Sequence, residues 1–356
     1  QDAPYAFGQY LYERFDREQT QAYHIDCSHL NTVYGSNGRC VSGWNIRADL
    51  PESPYYQSAV PRYHSMKVSS IATGKEVTIL AEADGLIQSD VTTTIFLPEE
   101  FPWFEVKVQL DNKKPDYWPE AGSIYLPVNA KNPEFRIGRL GSAANPATDF
   151  TKGSNRTYGY VNTGAMIADN TGSGLAFCPL DHGLMSFGEK GLCEIDPEFA
   201  PTEPLAKVII FNNLWTINFP YWIKGSVSSR VRIWAVDNLK DSSLVNPAFE
   251  MRNPPLVGYA DGPPGNLPLT YQGIKLSRKG ILTAVNLVPG KEPTLSLWEQ
   301  TGLAGEISVT FPAEMKFSSA VPINFRGEIT GNPIEMPDGV LHTFIGAFAP
   351  VNFLFN

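Results

Sequence analysis

Residues 104–110 read Phe104-Glu105-Val106-Lys107-Val108-Gln109-Leu110, with an apolar side chain at every second position. A period of two marks a strand with one face in a core and the other toward water. The same alternation recurs at 76–83, through Val77, Ile79, Ala81 and Ala83, and at 226–234, through Val227, Val231 and Ile233. The 30 Gly and 29 Pro break these runs at short intervals. Strands at short spacing with abundant turns predict an antiparallel sandwich rather than strand–helix–strand units.

One segment alone reads as helical. Residues 8–24, GQYLYERFDREQTQAYH, set Tyr10, Leu11, Phe15 and Tyr23 among charged residues with no proline. A boundary falls near 236–270, where Asp237–Ser243 leads into the Pro/Gly-rich NPPLVGYADGPPGNLP at 253–268. Beyond it, strands near 273–277, 281–287, 293–298, 305–311 and 341–355 predict a second, smaller β domain. The expected organisation is a helical lead-in at 1–30, a large sandwich at 31–245 and a small β-sandwich at 246–356.

Composition narrows the function classes. The chain has 356 residues, 42% hydrophobic and 18% charged, as a folded protein does. A net charge of −9 without a basic stripe argues against nucleic acid as a partner. No apolar run approaches the roughly 20 residues needed to span a bilayer as a helix. The first residues, Gln1-Asp2-Ala3-Pro4, read as the start of a mature chain or an excised piece. Four cysteines form two local pairs, Cys27 with Cys40 and Cys178 with Cys193. Each pair is either a disulfide of an oxidising compartment or two buried thiols. No Cys-x-x-Cys spacing points to structural zinc. The Asn155-Arg156-Thr157 sequon stands alone and is close to chance.

The chemistry concentrates between 177 and 222. FCPLDHGLMSFGEKGLCEI at 177–195 is followed by VIIFNNLWTINFPYW at 208–222. Asn212, Asn213, Trp215, Asn218 and Trp222 fall within eleven residues. Amides beside indole faces suit sugars, which present hydroxyls and C–H faces together. The plainer account is a core corner whose amides satisfy backbone groups. Asp181-His182 is either a turn whose Asp caps backbone N–H groups or a substrate-side pair. Asp196 and Glu198 flank Pro197 and read as a solvated loop. His24-Ile25-Asp26 has the look of a metal motif but sits at the end of the expected helix, where a His suits the helix dipole. Trp298-Glu299 reads as a core Trp beside an edge Glu.

Four segments carry a family resemblance. They are WPEAGSIYLPV at 118–128; Pro179-Leu180-Asp181 leading to Leu184-Met185-Ser186-Phe187-Gly188; Asn213-x-Trp215-x-x-Asn218-Phe219-x-x-Trp222-x-x-Gly225; and LSLWEQTGLAGEISVTFP at 295–312. In this order the chain resembles the C-terminal β-sandwich region of α-mannosidase-like glycoside hydrolases, family 38, over most of residues 30–356. The resemblance implies an all-β fold: a large galactose-mutarotase-like supersandwich, then a small β-sandwich, with one N-terminal helix. It implies that the zinc ligands and the nucleophilic Asp belong to an upstream catalytic domain that these residues do not contain, so no cofactor is expected within them. Carbohydrate and that upstream domain become the expected partners, with Asp181, His182, Asn213, Trp215, Asn218 and Trp222 as the carbohydrate-contacting candidates.

Three functions follow. The leading one is a non-catalytic β region supporting a glycosidase. The second is a free-standing carbohydrate-binding protein. The third is a mutarotase-like enzyme acting on carbohydrate, weakened because none of the five His has a titratable partner at a convincing spacing. A periplasmic or secreted location fits a protein that handles polysaccharide.

Overall fold

The alternating strands assemble as their periodicity requires. In a computed structural model, residues 5–27, 55–83, 85–87, 89–214, 220, 222–259, 261–262, 265–266, 268–288 and 290–356 are described. They divide into two units, one of residues 1–137 and 144–239, the other of residues 138–143 and 240–356.

The larger unit is a sandwich of two antiparallel sheets. The nine-stranded sheet runs, in spatial order, Arg62–Ile71, Gly74–Glu82, Asp90–Pro98, Trp103–Lys113, Gly225–Val236, Gly174–Pro179, Ala165–Ala168, Glu134–Arg139 and Ser142–Ala144. The six-stranded sheet runs Tyr158–Tyr160, Leu184–Phe187, Leu205–Asn212, Glu120–Pro127, Gln9–Arg14 and Gln57–Ala59. Val106, Val108, Leu110, Val231 and Ile233 from the first sheet meet Tyr10, Ile124, Leu126 and Val208 from the second in one core. Each buried side chain of this size contributes about 1.5–3 kcal/mol of transfer free energy. Gly122 is required where side chains of the two flanking strands of its own sheet close over it. A Cβ there would lie 2.4 Å from the Phe211 ring and 2.7 Å from the Tyr10 hydroxyl.

The smaller unit contains a three-stranded sheet, Lys275–Leu276, Gly305–Thr310 and Val340–Ile345. Its five-stranded sheet is ordered Ile281–Asn286, Thr294–Glu299, Pro350–Phe355, Ser319–Ile323, Ile334–Glu335. Leu295, Leu297, Ile307, Val309, Leu341 and Phe353 fill the space between them. The expected all-β architecture, a large supersandwich and a small β-sandwich, is present.

Several expectations need correction. Residues 9–14 of the expected helix form a strand instead. Tyr10 and Tyr12 enter the main core while Leu11 turns to a separate cluster, so both faces are buried and the period of two is hidden. The helix starts later, at Arg17–Cys27. Its start is written in Asp16-x-x-Gln19: Gln19 N–H donates to Asp16 Oδ1 at 2.7 Å, and Asp16 N–H to Gln19 Oε1 at 3.1 Å. A second helix, Asp241–Arg252, occupies the expected boundary, with Leu244, Val245, Ala248 and Met251 buried along one stripe. The strand expected at 341–355 is two strands. Of the two alternatives left open for Cys178 and Cys193, the structure has buried thiols that are not joined. The Cys178 thiol donates to the Thr163 carbonyl at 3.4 Å, and Cys193 packs with Phe15, Tyr23, Leu192 and Leu214. Cys40 and the side chains of Cys27, His24 and Asp26 lie outside the described residues.

The reading of Trp298-Glu299 is reversed. Glu299 is fully buried and Trp298 is the half-exposed one. Glu299 accepts from the backbone N–H groups of Thr301, Gly302, Leu303 and Phe348 at 2.8–3.1 Å, and from the Thr301 hydroxyl. Burial raises its pKa, but these donors outweigh burial and hold it below the ordinary range.

Candidate functional site

A buried polar cluster forms where the WPEAG segment meets the Asn-rich segment. Glu120 opens the Glu120–Pro127 strand and pairs in register with Arg14. Its side chain is fully buried. Lys113, the last residue of its strand, donates from Nζ to Glu120 Oε1 at 2.6 Å, and the Tyr12 hydroxyl donates to Oε2 at 2.5 Å. Burial pushes the Glu120 carboxyl above its usual range, against the pull of Lys113 and the Tyr12 hydrogen bond. The Tyr12 phenol is raised by burial and by the Glu120 charge. Next to it the Tyr10 hydroxyl is buried with no hydrogen-bond partner among the described residues.

Asn213 locks the two segments together. Its Oδ1 accepts from Glu120 N–H at 2.7 Å, and its Nδ2 donates to the Trp118 carbonyl at 2.8 Å. The Asn213 backbone N–H donates to the Glu120 carbonyl at 3.1 Å. It is 3% exposed, so its amide serves the backbone rather than a surface ligand.

Toward the surface the groups become amphipathic. Arg14 pairs with Asp116, donates from Nε to the Tyr12 hydroxyl at 3.1 Å, and lies 5.2 Å from the Trp118 ring centre. Trp118 Nε1 donates to the Phe15 carbonyl at 2.8 Å. Tyr117 and the half-buried Trp222 meet edge to face at 5.2 Å. This end of the sandwich thus offers aromatic faces beside an Arg–Asp pair, a combination able to stack on a C–H face and hydrogen-bond hydroxyls.

The sequence candidates separate. Asp181 accepts from Arg230 N–H and Nε at 2.9 Å and from Nη2 at 2.7 Å, a bidentate clamp from the turn after Gly174–Pro179 onto the neighbouring strand Gly225–Val236. The guanidinium holds Asp181 below the usual carboxylate range. Burial lowers His182, and its Nδ1 is buried with no hydrogen-bond partner among the described residues. Gly225 pairs with Lys113 at the Glu120 end, and Arg230 lies five residues further along the same strand. Asp181 and its neighbour His182 therefore sit about 17 Å of strand from that end. The structure does not bring them together with Asn213 and Trp222. Trp215 and Asn218 lie outside the described residues. Among the described residues, no group of three or more His, Cys, Asp or Glu is arranged to hold a metal.

Sequence reasoning missed Tyr12, Arg14, Lys113, Asp116, Tyr117 and Glu120. The one available signal was a carboxylate at the head of an apolar strand, which in a buried strand demands a partner.

No protein-family model matches the chain, and no curated protein matches it. Solved structures do. A glycosyl hydrolase family 38 protein from Enterococcus faecalis superposes with a TM-score of 0.63 at 8% identity, covering 98% of this chain and 40% of its own. An alpha-mannosidase from Enterococcus faecalis V583 superposes with a TM-score of 0.65 at 8% identity, covering 98% and 38%. The chain spans about two fifths of the length of these structures, and the likeness establishes a shared fold.

Proposed function

We propose that this chain is a non-catalytic β portion of an α-mannosidase-like glycoside hydrolase, which supports a catalytic domain of the same protein and contacts carbohydrate at Tyr117 and Trp222. One observation carries this reading: nearly all of the chain superposes on about two fifths of two such proteins. The zinc and the nucleophile of such an enzyme then belong to the part outside the shared region. Saturated carboxylates support the non-catalytic role. Glycoside hydrolysis needs an acid and a base or nucleophile free to exchange protons with the substrate. Here Glu120 is held by Lys113 and Tyr12, Asp181 by Arg230, and Glu299 by backbone N–H groups.

Calorimetric titration with a mannose oligosaccharide tests the contact. Saturable binding is expected, with Trp222→Ala weakening it at least about tenfold, the loss of one stacked ring and its edge contact. Trp222 is half-buried, so the variant should keep its fold by near-ultraviolet circular dichroism. Binding unchanged in a folded Trp222→Ala variant would remove the aromatic pair from the proposal.

A further inference from the structure

A cavity of about 260 Å³ lies within the smaller unit, between the Asp241–Arg252 helix and the hairpin that begins with Ile281–Asn286. This is near the small end for small-molecule sites, which run roughly 300–1,000 Å³. Val245, Phe249 and Ile281 supply apolar walls. Beside the paired Glu250 and Lys279, three polar side chains line it: Asn246, Arg278 and Gln300.

All three have unused hydrogen-bonding capacity. Gln300 is 8% exposed, and its carboxamide makes no hydrogen bond among the described residues. Asn246 is likewise without a side-chain partner there, and its Oδ1 points at Gly280, lying 3.4 Å from where a Cβ on that glycine would stand. Arg278 uses Nη2 on the Leu303 carbonyl at 2.6 Å, while its Nε is buried with no acceptor among the described residues. No carboxylate among the described residues pairs with this guanidinium. Its neighbour Lys279 is already neutralised by Glu250 at 2.7 Å.

Buried donors without acceptors cost free energy, and an uncompensated guanidinium favours an anion. Apolar walls around such a group favour a ligand with an apolar body. We propose that this cavity is a binding site for a small carboxylate carrying an apolar or aromatic body. The carboxylate accepts from Arg278 and from the Gln300 or Asn246 amide, while the body packs between Val245, Phe249 and Ile281. Gly280 also lines the cavity, where its φ of 79° suits glycine and Thr301 packs directly against it, 2.4 Å from where a Cβ would stand.

The chemistry separates this site from a sugar site. A neutral polyol gains little from an unpaired guanidinium, and the walls offer no exposed carboxylate to bind hydroxyls except Glu250, which Lys279 occupies.

The test uses the whole chain and three probes: benzoate, its neutral isostere benzamide, and methyl α-mannoside. Binding is read by saturation-transfer difference NMR and calorimetry. Benzoate should bind saturably in the millimolar range or tighter, with benzamide and the mannoside at least about tenfold weaker. Arg278→Gln should lose at least about tenfold in benzoate affinity. Because Arg278 also holds the Leu303 carbonyl, Phe249→Glu is the second variant. Phe249 is 39% exposed, so the fold should tolerate the change, and the new carboxylate should repel benzoate with a similar loss. The proposal is overturned if benzoate does not bind, if benzamide binds equally well, or if folded Phe249→Glu binds benzoate as the unaltered chain does.

Discussion

Lys113→Met lowers the stability of the larger unit by about 3–5 kcal/mol, the range for breaking a buried ion pair from one side. The cause is Glu120. Both partners are buried, at 5% and 0% exposure, and the Nζ–Oε1 distance is 2.6 Å. Removing Lys113 leaves a carboxylate in the core with the Tyr12 hydroxyl as its remaining side-chain donor. Glu120→Gln alone is costly for the mirror reason, since a buried ammonium loses its counter-charge. The double variant, Lys113→Met with Glu120→Gln, should recover more than half of the summed loss, because neither charge is then stranded. Urea unfolding followed by tryptophan fluorescence reads this. Additive losses in the double variant would mean that the two side chains do not act as a pair.

The second large effect is in the smaller unit, where Glu299→Ala costs at least about 3 kcal/mol. Glu299 ties the turn at 301–303 to the turn at 346–349 through four backbone N–H groups. Alanine leaves those donors without an acceptor. Phe348, whose N–H is one of them, holds a left-handed φ of 54° that few side chains adopt without such a contact. The pH dependence has a definite sign. A carboxyl whose pKa is depressed on folding contributes stability above its unfolded pKa, about 4.3. That contribution is lost as pH falls through the lower folded value. The smaller unit should therefore weaken below about pH 4, and Glu299→Gln should flatten that acid limb. An acid limb of unchanged steepness in Glu299→Gln would show that other groups cause it.

The legible parts of the fold were those with one wet face. Trp103–Lys113 and Gly225–Val236 keep a polar residue between buried ones, so their period showed. Gln9–Arg14 is buried on both faces, and its run of Tyr and Leu carries no period at all. By sequence it reads as part of a helix, although Asp16 and Gln19 mark the true helix start. The Glu120 cluster was hidden for a different reason. Tyr12 and Glu120 are 108 residues apart, and the pairing of Gln9–Arg14 with Glu120–Pro127 is what joins them. Local spacing carries no trace of such a contact. Asn213 and Trp222 were found as residues but share a location rather than a role, one latching the backbone and the other facing Tyr117.

The central claim is that these residues support glycoside chemistry without performing it. The direct test is hydrolysis of a panel of aryl glycosides, α-mannoside included, by this chain with and without added zinc. The account predicts no turnover above a control preparation. Turnover that co-purifies with the chain and disappears on substitution of one of its own carboxylates would contradict it.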